Sequence, residues 1–114
     1  MSLALTRIPV AQPEAEVYDD GYLRVEHDNY YIACGERVLR LPLKEFLIIS
    51  RLVRNMGRLV LSEEIWRYAW GEAAPFNAQS LHVHIYRLRQ RLAPYQLQIE
   101  TKVCIGYCLR SGNR

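Results

Sequence analysis

The sequence predicts an α+β fold, and three observations carry that prediction. Short β-prone runs stand before Leu41, three stretches with helical character follow between Leu43 and Leu92, and two further β-prone runs close the chain after Pro94. The chain has 114 residues, enough for one domain, since a single core typically serves about 100 to 150 residues. Half of them are hydrophobic and 24% are charged, a balance far from the low-hydrophobicity, high-charge composition of disordered segments.

Residues 1–17 contain two prolines and show no sustained period, so a linker or disordered arm is expected there, ahead of a domain over residues 18–114. The runs YLRVE, YYIAC and RVLRL between Tyr22 and Leu41 are separated by turn-forming His27-Asp28-Asn29 and Gly35-Glu36, which gives a small antiparallel meander. Leu43, Phe46, Leu47, Ile49, Leu52 and Val53 then recur at helical spacing until Asn55-Met56-Gly57, where glycine supplies the left-handed stop that a helix end favours.

Ser62 with Glu63 and Glu64 reads as the start of a second helix, a capping hydroxyl followed by two carboxylates at the positive end of the dipole. That helix is expected to run to Trp70. Gly71 to Asn77 is a loop, Asn77 caps a third helix extending to Leu92, and Pro94 limits its continuation. QLQIETK and GYCLR flank a short turn at Val103 to Ile105 and form a terminal hairpin.

The charge is unevenly placed. Residues 1–72 hold nine Lys and Arg against eleven Asp and Glu, a net of −2, whereas residues 73–114 hold six against one, a net of +5. From Ala73 to Ile99 there is no acidic side chain, which is the electrostatic footprint of a surface that meets anions. No apolar run approaches the roughly 18 residues that span a bilayer, the N-terminus lacks a signal-peptide pattern, and the chain is expected to be cytoplasmic, without membrane association. Three cysteines, Cys34, Cys104 and Cys108, lack a framework spacing and are expected to be reduced.

Placing the third helix at about 100° per residue puts Leu81, Ile85, Leu88 and Leu92 on one narrow apolar stripe. Opposite lie Gln79, Val83, Tyr86, Gln90 and, toward one edge, Arg87. These side chains suit the edges of bases: Arg pairs bidentately with guanine, Gln with adenine, and an aliphatic group meets a thymine methyl. Ser80, His84 and Arg91 on one flank, and His82 and Arg89 on the other, can hold phosphates and so set the register. A plain solvated helix bearing three arginines would give the same composition, and the order of elements decides between the two.

That order, and four anchors in it, resemble the C-terminal effector domain of OmpR/PhoB-type response regulators, a winged helix-turn-helix family. The anchors are Leu41-Pro42-Leu43-Lys44-Glu45-Phe46, Trp70-Gly71, the stretch Leu81-His82-Val83-His84-Ile85-Tyr86-Arg87-Leu88-Arg89-Gln90-Arg91-Leu92, and Ile99-Glu100-Thr101 with Gly106-Tyr107-Cys108-Leu109. The resemblance covers about Tyr22 to Arg110. It implies a four-stranded N-terminal antiparallel sheet, three helices and a C-terminal β-hairpin wing that includes Thr101, Lys102 and Tyr107.

The resemblance further implies that Val83, Tyr86 and Arg87 face bases, that His84 and Arg89 help hold phosphates, and that the loop with Glu72, Pro75 and Phe76 contacts RNA polymerase. Two copies are expected on tandem or inverted half-sites about one helical turn apart. Four positions in three places depart from the family pattern. Pro42 stands where a capping Thr is usual, His82 where an acid is usual, and Val103-Cys104-Ile105-Gly106-Tyr107 replaces Arg-Gly-x-Gly-Tyr, so the Arg expected in the minor groove is missing. No doubly wound receiver domain has room in this length, which leaves an excised effector or a stand-alone regulator, and the linker-like start favours an effector cut from a longer regulator.

Other chemistry finds little support. His82 and His84 diverge by roughly 200° on a helix, and Cys104 and Cys108, if both lie on one strand, stand roughly 13 Å apart, so no metal is expected. Glu63 and Glu64 are explained by the helix start. No nucleophile and base stand together and no loop cradles phosphate, so neither an enzyme nor a cofactor is predicted. Trp66 and Trp70, at i and i+4, are expected in the core, and Phe76 in a partner contact. The function predicted is sequence-specific binding of double-stranded DNA as the output of a transcriptional regulator. The alternative is a winged-helix protein-interaction module that has lost DNA binding.

Overall fold

The computed structural model describes residues 16–111; residues 1–15 of the expected linker lie outside the described residues. The chain divides into two compact units, one ending at Arg40 and the other beginning at Leu41.

The first unit is a four-stranded antiparallel sheet of β1 (Val17–Asp19), β2 (Leu23–Glu26), β3 (Tyr31–Cys34) and β4 (Arg37–Leu39), in sequential order. β2 to β4 occupy the three β-prone runs. β1 takes in Val17, one residue ahead of the expected domain start. Opposed pairs Leu23–Cys34, Val25–Ile32 and Ile32–Leu39 put five buried apolar side chains on one face, as the period of two along a strand requires. Asp20 closes the first turn by accepting from the amides of Tyr22 and Leu23 at 2.9 and 2.8 Å, and Gly21 takes a φ of 95° between them. The His27-Asp28-Asn29 turn is a single turn of 3-10 helix.

The second unit contains α1 (Leu43–Arg54), α2 (Ser62–Trp70), α3 (Ala78–Leu92) and a three-stranded antiparallel sheet of β5 (Val60–Leu61), β6 (Leu97–Lys102) and β7 (Gly106–Ser111) in the order β5-β7-β6. Its core is built from Phe46, Ile49, Leu52 and Val53 of α1, Ile65, Trp66 and Ala69 of α2, the stripe Leu81, Ile85, Leu88 and Leu92 of α3, and Leu97, Ile99 and Leu109 of the hairpin. Every member of the α3 stripe is at most 1% exposed, as its helical spacing predicts. Arg51 of α1 also pairs with Glu64 of α2.

Four local expectations change. Leu43 is 56% exposed while Ile48 and Ser50 are buried, because Leu43 sits in the first turn behind Pro42, and the buried face of α1 is wider than a single stripe. Ser62 is not the cap of α2: Leu61 occupies that position, and the Ser62 amide donates instead to the Ile105 carbonyl at 3.0 Å. An otherwise orphaned helix-end donor is thus satisfied by the wing turn. β5 emerges only in three dimensions, since two residues carry no strand period of their own. Cys104 lies in the turn with a φ of 65°, so it does not share a strand face with Cys108.

The other termini follow their sequence signals. Gly57 takes a φ of 79° after α1 and its amide donates to the Leu109 carbonyl at 3.0 Å. Asn77 caps α3 by accepting from the Ser80 amide at 2.9 Å.

Candidate nucleic-acid interface

α3 turns its apolar stripe inward and leaves Gln79, His82, Val83, Tyr86, Arg87, Gln90 and Arg91 exposed. Tyr86 is 59% and Val83 37% exposed, so the side chains set opposite the core stripe are available to a partner. Arg87 and Gln90 stand one and four residues beyond Tyr86 and extend the same outward face. Exposed aromatic and aliphatic groups interleaved with Arg and Gln make a surface that hydrogen-bonds and also contacts apolar groups. The edges of base pairs in a major groove offer both.

The flanks of α3 are more occupied. Arg89 is half-buried: it donates from Nε and Nη2 to the Ile99 carbonyl at 2.9 and 2.7 Å, and from Nη2 to Thr101 Oγ1 at 2.6 Å. The guanidinium thereby fastens α3 to β6. Arg91 places its Nε 2.7 Å from Oε1 of Glu45, a carboxylate almost wholly buried in α1. Spacing on a helical wheel could not reveal either attachment, because the partners lie at least ten residues away.

Ser80 and His84 form a connected pair. The Ser80 carbonyl accepts from His84 Nδ1 at 2.8 Å, and the imidazole stands edge-on to Trp70 with ring centroids 5.1 Å apart. A carbonyl only accepts, so Nδ1 donates to it, and Nε2–H of the imidazolium is the donor that would remain for a phosphate oxygen.

The wing combines buried and exposed positions. Thr101 and Lys102 end β6 and are exposed, but Tyr107 is only 7% exposed, and burial raises its phenol above the ordinary value. Tyr107 therefore belongs to the wing as a packing residue paired with Val60 and Thr101, not as an outward contact. Gly106 opposes Leu61 so closely that a Cβ there would lie 2.0 Å from the Val60 carbonyl oxygen, which explains the glycine at this position.

In the loop after α2, Glu72 is exposed and stands 3.8 Å from Arg67. Pro75 is exposed as well, and Phe76, 41% exposed, meets Trp66 edge-on at 5.8 Å. Trp66 holds the loop by donating from Nε1 to the Ala74 carbonyl at 3.0 Å, and it stacks on Trp70 at 4.0 Å. Trp66 is buried, whereas Trp70 is only partly so. Among the described residues no group of three or more His, Cys, Asp or Glu side chains is placed to hold a metal, and no helix is long and apolar enough to cross a membrane.

Residues 35–109 match the family model described as transcriptional regulatory protein, C terminal. The chain belongs to this family. It is a family of transcription regulators and not an enzyme class. The chain is similar to the sensory transduction protein RegX3 of Mycobacterium leprae, 30% identical over 76 residues that make up 67% of the chain and 38% of that relative. It is also similar to the DNA-binding dual master transcriptional regulator RpaA of Synechocystis, 28% identical over 90% of the chain and 44% of the relative. The chain thus spans less than half the length of these curated relatives.

Among solved structures, the response regulator DrrB, described as a Thermotoga maritima OmpR/PhoB homolog, superposes with a TM-score of 0.68 at 26% identity, covering 83% of this chain and 44% of that one. The DNA-binding domain of the response regulator AdeR, solved in complex with an intercistronic region, gives a TM-score of 0.68 at 20% identity over 83% of this chain and 98% of that one, a likeness of fold. These neighbours establish the winged helix-turn-helix architecture of the OmpR/PhoB type.

Proposed function

We propose that this domain binds double-stranded DNA in a sequence-specific manner as the output module of a two-component response regulator, with α3 in the major groove. The single observation that carries the reading is the outward face of α3, where Gln79, Val83, Tyr86, Arg87 and Gln90 lie exposed opposite a stripe sealed in the core. Family membership supports it, as do structural neighbours such as the Klebsiella pneumoniae RstA domain, solved in complex with the RstA box.

In this arrangement the five outward side chains read base edges. Ser80, His82 and His84, with the donors that Arg89 and Arg91 have left, hold phosphates and set the register of the helix. Arg89 acts first by fixing the wing against α3, so that Thr101 and Lys102 meet the backbone in a set position. The exposed ring of Phe76, beside Glu72 and Pro75, supplies a separate surface for RNA polymerase. Two copies occupy half-sites about one helical turn apart, and the protein works in the cytoplasm. No particular feature of the structure favours the alternative, a protein-interaction module without DNA affinity.

Selection from a random duplex pool, followed by sequencing of the retained DNA, tests the proposal. An enriched motif, tandem or inverted, is expected. Retention without enrichment would reduce the surface to a general polyanion binder, and no retention at low salt would overturn the reading.

A further inference from the structure

The wing ends in an apolar point. Between the last β6–β7 pair, Lys102 with Gly106, the turn carries Val103 at 77% exposure, an exposed Cys104 and Ile105 at 49% exposure. Two aliphatic side chains thus crown a turn that is well fixed. The Ile105 amide donates to the Lys102 carbonyl at 2.9 Å, and the Ile105 carbonyl accepts from the Ser62 amide at 3.0 Å. Both backbone groups of Ile105 are therefore held while its side chain faces outward.

We infer that Val103 and Ile105 form a wedge that enters the minor groove of the bound duplex and opens a base step there. The inference rests on the DNA-binding reading proposed above. Three observations support DNA as the occupant. The tip is continuous with α3 through Arg89, whose bonds to Ile99 and Thr101 end two residues short of Val103. From Thr101 to Arg110 the hairpin has no acidic residue, and Glu100 itself is paired with Arg110 at 3.0 Å, so the hairpin brings no unpaired carboxylate of its own toward the phosphates. A turn of three residues is also slender enough for a minor groove about 6 Å wide.

A cation at this point would follow the groove's negative potential without disturbing the stack. An aliphatic pair gains nothing from that potential. It gains by leaving water against the faces of unstacked bases, and minor-groove proteins use Ile, Leu and similar side chains in this way, kinking the duplex by roughly 20–90° toward the major groove. Pyrimidine–purine steps unstack most readily. The wing is accordingly expected to select a flexible step beside the α3 site, where a charged wing would favour a stiff, narrow A-tract.

The test uses a duplex selected by the intact chain, carrying fluorophores at both ends, and compares wild type with a V103S/I105S double variant. Both changes are at exposed turn positions, and circular dichroism and thermal melting check that the fold is kept. Wild type is expected to shorten the end-to-end distance and to prefer a TA or CA step at the wing position by about tenfold over an A-tract. The variant should still bind the α3 motif but leave the duplex straight and lose that preference. If wild type selects no duplex, the functional reading fails and the wedge with it. If wild type selects a site but the variant bends it equally and keeps the flanking preference, only the wedge is overturned. The wedge is equally overturned if the variant loses only the cooperative binding of a second copy, which would make the tip a protein contact.

Discussion

Arg91 Nε lies 2.7 Å from Oε1 of Glu45, joining the last turn of α3 to a carboxylate in the first turn of α1 whose side chain is 3% exposed. The arginine itself is 46% exposed, so water screens one partner and not the other. Removing Arg91 strands the buried partner, whereas removing Glu45 leaves an arginine that water can accommodate.

Arg91→Ala is expected to destabilise the domain by about 1–3 kcal/mol, below the range for a fully buried pair because solvent already reaches the guanidinium. Glu45→Gln should cost less. Urea unfolding of both variants measures the difference, and equal losses would mean that the pair acts as an ordinary surface ion pair.

Arg89→Ala removes three hydrogen bonds between α3 and β6. Hydrogen exchange at the amides of β6 and β7 should accelerate while that at the core of α1 changes little, because the loss is local to the wing. Uniform acceleration throughout the unit would show that the bonds stabilise the whole fold and not the wing in particular.

Gly106→Ala sets a Cβ against the Val60 backbone, which has no rotamer through which to yield. The expected cost is roughly 3 kcal/mol, at the upper end for overpacking, with loss of the β5–β7 pairing. Cys104→Gly acts in the opposite sense. Its φ of 65° is strained for a residue with a Cβ, and relief is expected to raise stability by about 0.5–1 kcal/mol. Paired thermal melts check both signs, and a stabilised G106A or a destabilised C104G would contradict the geometry.

The helices and the hairpin were legible because each rests on local signals: the α3 stripe on helical spacing, its start on Asn77, the end of α1 on Gly57, and the wing on two β-prone runs around a turn. β5 was not legible, since Val60 and Leu61 are strand only through β7 beside them. The Ser62 amide shows the same limit, because its partner Ile105 is far along the chain. The outward face of α3 could be read from the wheel. The internal engagements of Arg89 and Arg91 could not, because Ile99, Thr101 and Glu45 become their neighbours only after folding.

The three thiols should differ in reactivity. Burial pushes the Cys34 thiol up to about 11 and Cys108 is buried as well, while Cys104 is exposed at the wing tip. Native protein treated briefly with an alkylating agent at pH 8 should gain one label, at Cys104, by mass spectrometry. Labelling of Cys34 at a similar rate would contradict its burial.

Acid should weaken the fold through its surface carboxylates. Glu100 is lowered by its hydrogen bond from Arg110, Glu26 by bonds from Asn29 and Arg24, and Asp19 by bonds from the Gly21 amide and Arg24. A folded value below the ordinary one contributes stability that is fully present above the ordinary value and lost as pH falls through the folded value. The ordinary values are 4.5 for Glu and 3.8 for Asp. Urea midpoints should therefore hold steady above about pH 5 and decline below it, with a shallower decline in Glu100→Gln. A midpoint unchanged down to pH 3 would oppose this account.

In the proposed function the outward face of α3 reads sequence. The most direct measurement is the affinity of wild type and Arg87→Ala for the selected duplex and for a scrambled duplex of equal length at one salt concentration. A base-reading Arg87 predicts that the variant loses about 1–3 kcal/mol on the selected duplex and little on the scrambled one. Equal losses on both duplexes would make Arg87 a phosphate contact, and no loss on either would remove α3 from the interface.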